Sequence, residues 1–288
     1  MSENQILHVG DNHGHLNPLK GMGIENFAKK FKASGGWLYV IVNLLSWNFN
    51  IKIGSPKDYR KLYDITIKTA ENLRRYGLTV PVIIGPHPAE TVRKIQEGME
   101  LSEVAEFMIK AYEIAGEYVK LGRAQGLGEA GRPHWPVPER IMETCTEIMF
   151  KAIELSAELD VPLHLHLDVG RKPLELAAQV ARKTEARKVV AHHVKGELAY
   201  HAAQLGLVPS VPSKRNEILA AKKAWNSMVI ESDFLDDPRR PGAVVAPWSI
   251  GKTFKRLINA GLMTYTQARR ILVHNLADLY VVKPPFMD

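Results

Sequence analysis

Cysteine is nearly absent: among 288 residues there is one, Cys145. An internal disulfide is therefore excluded, and a reducing compartment, the cytoplasm, is the expected location. No apolar run approaches the roughly 20 residues that cross a bilayer. The start, Met1-Ser2-Glu3-Asn4-Gln5, is polar and acidic where a signal peptide would be basic. Neither a signal peptide nor an anchor is expected. Solenoid-length repeats, low-complexity tracts and obvious linkers are also missing. With 45% hydrophobic and 24% charged residues, the composition is that of an ordinary soluble protein. The formal charge of +7 favours acidic or phosphorylated partners. Lys and Arg are scattered without a long basic run, however, so a solvated helix surface explains them equally well.

Short β-branched apolar runs alternate with longer segments of helical period. Strands are expected at 6–10, 37–43, 80–85, 125–129, 161–167, 188–193, 207–211 and 228–233. Helices are expected at 56–76, 102–121, 138–159, 173–184, 197–204 and 214–226. Runs such as Trp37-Leu38-Tyr39-Val40-Ile41-Val42 are continuously apolar, as in a parallel sheet covered by helices. Pro138 opens a helix, Ser102 can cap another, and Gly77, Gly122 and Gly206 follow helical runs as stops. The length admits two small domains or one large one. Eight strands alternating with helical segments predict a single (β/α)8 TIM barrel over residues 1–288, with a doubly wound open sheet as the alternative.

The stretch Asp11-Asn12-His13-Gly14-His15 reads as a metal clamp. On a strand, residues two apart share a face, so His13 and His15 can offer two imidazole nitrogens to one ion, and Gly14 leaves the backbone room to bend. A catalytic metal needs three or more ligands with one position open. The further ligand-type residues all fall at the C-terminal ends of expected strands, which is the active-site face of a barrel. They are His87 in Gly85-Pro86-His87-Pro88, Glu129 in Gly128-Glu129-Ala130-Gly131, His166, the pair His192 and His193, and Asp233. His164 and His166 share a strand face, and the nearer position to the mouth favours His166. Of His192 and His193, neighbours on a strand, only one can face the barrel centre. His134, His201 and His274 are read as surface or satisfied core groups. The long connections at 45–55 and 234–249 are candidates for substrate contact.

In this order and spacing the chain resembles the TatD-type metal-dependent hydrolases, a branch of the amidohydrolase-like TIM barrels. Asp-x-His-x-His is matched at Asp11, His13 and His15, Gly-x-His-Pro from Gly85 to Pro88, and Gly-Glu-x-Gly from Gly128 to Gly131. Pro162 with His166, His192 with Gly196, and Glu231-Ser232-Asp233 match the later motifs. The closing Asn275-Leu276-Ala277-Asp278-Leu279-Tyr280 is similar to the family's Asn-x-x-x-Leu-aromatic ending. The resemblance implies two divalent ions, zinc first and manganese or magnesium as alternatives. One would be held by His13, His15 and Asp233, the other by His166 and His192, with Glu129 bridging. It also selects His192 over His193. Asp233 would move the proton of a metal-activated water, with His87 next in line as base.

The chain departs from typical TatD nucleases. Asp168 stands where many carry Arg, Lys195 where a small or hydroxyl residue precedes the sixth-strand glycine, and residues 236–242 differ as well. The first functional reading is hydrolysis of a phosphate ester, with a nucleic-acid end among the substrates and with His87, Lys195, Arg239 and Arg240 contacting it. A lactonase or amidohydrolase on the same metals is the alternative. A non-enzymatic metal-binding protein is the third reading, disfavoured by the presence of both Glu129 and Asp233.

Overall fold

The computed structural model describes residues 6–237 and 245–287. Its strands are β1 (Val9–His15), β2 (Gly36–Val42), β3 (Val82–Ile84), β4 (Gly126–Gly131), β5 (Leu163–His166), β6 (Val189–Ala191), β7 (Val208–Pro212), β8 (Val229–Glu231) and β9 (Phe234–Leu235). All pair in parallel, in the order β8-β7-β6-β5-β4-β3-β2-β1-β9. Ser232 and Asp233 alone separate β8, which pairs with β7, from β9, which pairs with β1. The eighth strand is thus broken in its middle, and its two pieces close the ring of a (β/α)8 TIM barrel. At the break, Ser232 N–H donates to Asp11 Oδ1 at 2.8 Å and Asp233 N–H to the His13 carbonyl at 3.0 Å.

The barrel strands are apolar because both faces are covered: Trp37 to Val42 in β2 are all buried. The helix Leu101–Lys120 turns Val104, Met108, Ala111 and Ala115 inward at helical spacing against that sheet. Burying a side chain such as Val104 or Met108 contributes about 1.5–3 kcal/mol each. Glu100 occupies the N-cap of this helix with no side-chain cap bond, so Ser102 does not cap it. The helices Ile24–Ala33, Pro88–Gln96 and Ile250–Asn259 were not anticipated. The first buries Phe27, Ala28 and Phe31 amid five polar or charged positions, which is too sparse a stripe to read from the sequence.

The first strand differs in placement from the expected 6–10. Ile6 is exposed, and β1 runs on through His15 with a bulge between Asp11 and Gly14. Hydropathy cannot carry a strand through Asp11, Asn12, His13 and His15; their burial is sustained by hydrogen bonds to other parts of the chain. Gly14 is required by close approach, because a Cβ there would meet the Tyr39 hydroxyl at 2.1 Å.

Candidate metal centre

The barrel brings six ligand-type side chains to the C-terminal mouth. His13 and His15 come from β1, Glu129 from β4, and His166 is the last residue of β5. His192 follows β6, and Asp233 lies in the break between β8 and β9. Glu129 sits at the centre. Its Oε1 is 3.5 Å from His13 Nε2 and 3.5 Å from His15 Nε2, while its Oε2 is 3.2 Å from His166 Nδ1 and 3.6 Å from His192 Nε2. Asp233 Oδ1 closes the arrangement, 3.8 Å from His15 Nε2 and 3.7 Å from His192 Nε2. Gly131 lets β4 approach β5 here: its φ is +142°, and a Cβ would meet the His166 carbonyl oxygen at 2.0 Å.

The donor set fits divalent metal. His15 Nδ1 lies 3.1 Å from the Val42 carbonyl, so the proton of the neutral ring is spent there and Nε2 is a bare lone pair. That lone pair faces His13 Nε2 at 3.3 Å and the carboxylate oxygens of Glu129 and Asp233. Acceptor set against acceptor repels unless a cation lies between. Atoms bound tetrahedrally to an ion at about 2.0–2.2 Å are roughly 3.3–3.6 Å apart, close to the spacing observed. His192 repeats the logic: its Nδ1 is 2.8 Å from Glu231 Oε2, which takes the ring proton and leaves Nε2 for the centre. His13, His15 and Glu129 form one group able to hold an ion, and Glu129 with His166 belongs to another.

Burial and charge set the protonation states. Burial pushes the Glu129 carboxyl up, but the surrounding imidazoles, His13 and His87 foremost, more than reverse this and hold it well below its ordinary value. Burial lowers His15, takes His87 down to about 3 and holds His164 and His192 well below the usual histidine range, so these rings are neutral. Burial raises Asp233, against the opposing pull of His13 and His15, and raises Glu231 strongly.

Around this centre several side chains lie where the sequence did not put them. His193, the member of the pair not chosen as a ligand, also turns toward His166. β6 stops at Ala191, so strand alternation no longer applies, and His193 takes φ +43° with its ring edge-on to His166 at 4.7 Å. Among the described residues its Nε2 is buried without a hydrogen-bond partner. His134 is exposed, yet it is not an idle surface group: its Nδ1 lies 2.6 Å from His166 Nε2, on the far side of that ring from Glu129. Arg132 went unnoticed; its guanidinium grips Asp168 at 2.7 and 3.4 Å, so a cation reaches the mouth from the end of β4. Lys195 occupies the N-cap position of the helix Gly196–Gln204, without a side-chain cap bond, and lines a small cavity with Asp168, His192 and His193. His87 is N-cap of Pro88–Gln96, with Nδ1 accepting Ala89 N–H and Nε2 3.8 Å from Glu129. His164 lies buried behind His13, its Nδ1 2.8 Å from that of His13. Arg239 and Arg240 lie outside the described residues. Polar pairs such as Arg132 and Asp168 leave no periodic signal, which is why only the strand-end motifs were visible.

Comparison with known proteins agrees with this geometry. The uncharacterised protein MJ1127 of Methanocaldococcus jannaschii is 28% identical over 280 residues, covering 95% of this chain and 96% of that one. Among solved structures, the TatD homologue YJJV of Escherichia coli superposes with a TM-score of 0.68 at 17% identity, covering 97% of this chain and 100% of that one. A phosphotriesterase homology protein from Escherichia coli, complexed with phosphate in its active site, gives a TM-score of 0.62 at 12% identity over 96% and 100% of the two chains. The lactonase Lmo2620 of Listeria monocytogenes gives 0.63 at 13% identity over 96% of each. The family model described as TatD related DNase matches residues 10–281. The chain belongs to the TatD related DNase family and is a hydrolase.

Proposed function

We propose that the protein is a dinuclear metal-dependent hydrolase of phosphate esters, nucleic-acid ends among them. The observation that carries this reading is the bare Nε2 of His15 set against the carboxylates of Glu129 and Asp233. His13, His15 and Asp233 would hold one divalent ion and His166 and His192 a second, with Glu129 lending an oxygen to each. When bound, such a pair supplies an activated water and positive charge beside the scissile bond. Imidazole and carboxylate donors suit zinc first, with manganese or magnesium as alternatives.

The chain's own residues direct the chemistry. Asp233, whose side chain is 25% exposed against 4% for Glu129, is the carboxylate open to substrate. It takes the proton of the attacking water and passes it to the leaving oxygen. His87 offers an Nε2–H toward the centre for a phosphoryl oxygen. Lys195 adds a cation at the mouth, and Arg239 and Arg240 join the proposal on their sequence position. A second reading, a lactone or carboxylic ester as substrate, is favoured by the Arg132–Asp168 pair, which neutralises one cation that a phosphate would use.

The test is a chelator-stripped protein reloaded with zinc, manganese or magnesium and offered aryl phosphomonoesters, phosphodiesters, single-stranded DNA ends and lactones. Activity should vanish on stripping, return on reloading, and favour phosphoesters. Lactone turnover above that of every phosphoester would instead establish the second reading.

A further inference from the structure

The closing motif, whose last residue is Tyr280, has no part in the chemistry above, yet the Tyr280 hydroxyl reaches into the barrel beneath the metal centre. A path of buried hydrogen bonds runs through it. His13, if its Nε2 lone pair faces an ion, carries its one ring proton on Nδ1, and that atom lies 2.8 Å from His164 Nδ1. His164 must accept there, so its own proton is on Nε2, 2.7 Å from the Tyr280 hydroxyl oxygen. Tyr280 in turn donates to Asn12 Oδ1 at 2.8 Å, and Asn12 Nδ2 donates to Ser210 Oγ at 3.0 Å. Ser210 donates to Glu231 Oε2, the same oxygen that takes the Nδ1–H of His192 at 2.8 Å. Asn12, His13, His164, Ser210 and Glu231 are wholly buried, and His192 and Tyr280 nearly so.

The direction of this path is set at its acidic end. Glu231 accepts from Ser210, from His192 and, at 2.8 Å, from the backbone N–H of His193. Reversing the path would require a turned Asn12 amide and a Ser210 hydroxyl turned away from the Glu231 oxygen it meets, and would place the His13 proton on Nε2, where it blocks a metal. We propose that Tyr280, with His164, Asn12 and Ser210, forms a one-way hydrogen-bond wire that keeps the Nε2 atoms of both His13 and His192 bare. These are positioning residues, acting through two stacked histidines that approach the two different oxygens of Glu129. The inference rests on the reading of His13 and His192 as ligands.

Tyr280→Phe tests it by removing one oxygen. Without the hydroxyl, His164 can move its proton to Nδ1 and donate to His13, whose proton then moves to Nε2. Long-range 1H–15N spectra of the metal-free protein report the ring tautomers, and competition against a chromophoric chelator reports zinc affinity. The variant should keep its fold by circular dichroism, gain a His13 Nε2–H population and lose about 10- to 100-fold in zinc affinity. Ser210→Ala should also weaken zinc binding and is the deciding variant if Tyr280→Phe does not fold. Wild-type tautomers together with zinc affinity within twofold of wild type, in a folded variant, would overturn the wire. A wild-type protein that takes up no zinc would instead defeat the metal reading. In that case the wild-type tautomers still decide the wire, which requires His13 Nδ1–H and His164 Nε2–H.

Discussion

His87 accepts the backbone N–H of Ala89 on its Nδ1 at 2.9 Å while its Nε2 stands 3.8 Å from Glu129. Burial keeps the ring neutral, with its pKa down at about 3, so its single proton is on Nε2 and points into the centre. The residue is therefore a donor there, and a fallback role as general base is ruled out for this tautomer. His87→Asn keeps an N-cap acceptor but is too short to donate to substrate. Its melting temperature should stay near wild type while kcat/KM falls about 10²-fold, the usual loss for one oxyanion donor. Steady-state kinetics beside a thermal melt separate the two effects, and undiminished kcat/KM would remove His87 from the site.

Asp233 combines ligation with proton transfer in the proposed mechanism. Asp233→Asn keeps an amide oxygen for the ion and loses the base. Turnover should drop by about two to four orders of magnitude with metal content partly retained. Glu129→Gln should act first on metal content, since both of its oxygens face ligand groups. Elemental analysis paired with turnover checks both, and an Asp233→Asn enzyme with two metals and near-normal turnover would require another base.

Asp58 closes a capping box with Ser55 on the 3-10 turn Pro56–Asp58 that leads into the helix Tyr59–Arg74. The Lys61 ammonium, then the Ser55 N–H, hold its carboxyl down at about 2. Because the folded value lies below the unfolded one of about 3.9, the stabilisation is complete above that pH and disappears as pH falls toward 2. Asp58→Asn should thus unfold at lower urea than wild type at pH 6, with the gap closing between about pH 4 and 2. A gap independent of pH would show that the charge contributes nothing.

Cys145 is buried, and burial raises its thiol to about 12. At pH 8 almost no thiolate exists, and the sulfur is out of reach. Iodoacetamide should leave the native protein unlabelled by mass spectrometry and modify it fully in urea. Rapid labelling without denaturant would mean that the helix Glu139–Leu159 opens far more readily than its packing implies.

The sequence by itself determined the barrel and which residues arrive at its mouth. Both follow from one-dimensional signals: apolar runs alternating with helical period, and ligand-type residues at the ends of those runs. The positions of His13, Glu129, His166 and Asp233 were legible because each sits at or just beyond the end of an expected apolar strand, whereas the choice of His192 over His193 came from the family resemblance. What only the tertiary structure decided is the state of each ring. Tyr280 meets Asn12 across 268 positions of sequence, and Ser210 meets Glu231 from the adjacent strand, so no local pattern marks either contact. The same holds for the broken eighth strand, for Arg132 on Asp168, and for His134 and His193, which turn toward His166. A polar side chain in a barrel is told apart from a surface one only by its partner, and that partner is fixed by strand register rather than by neighbours along the chain.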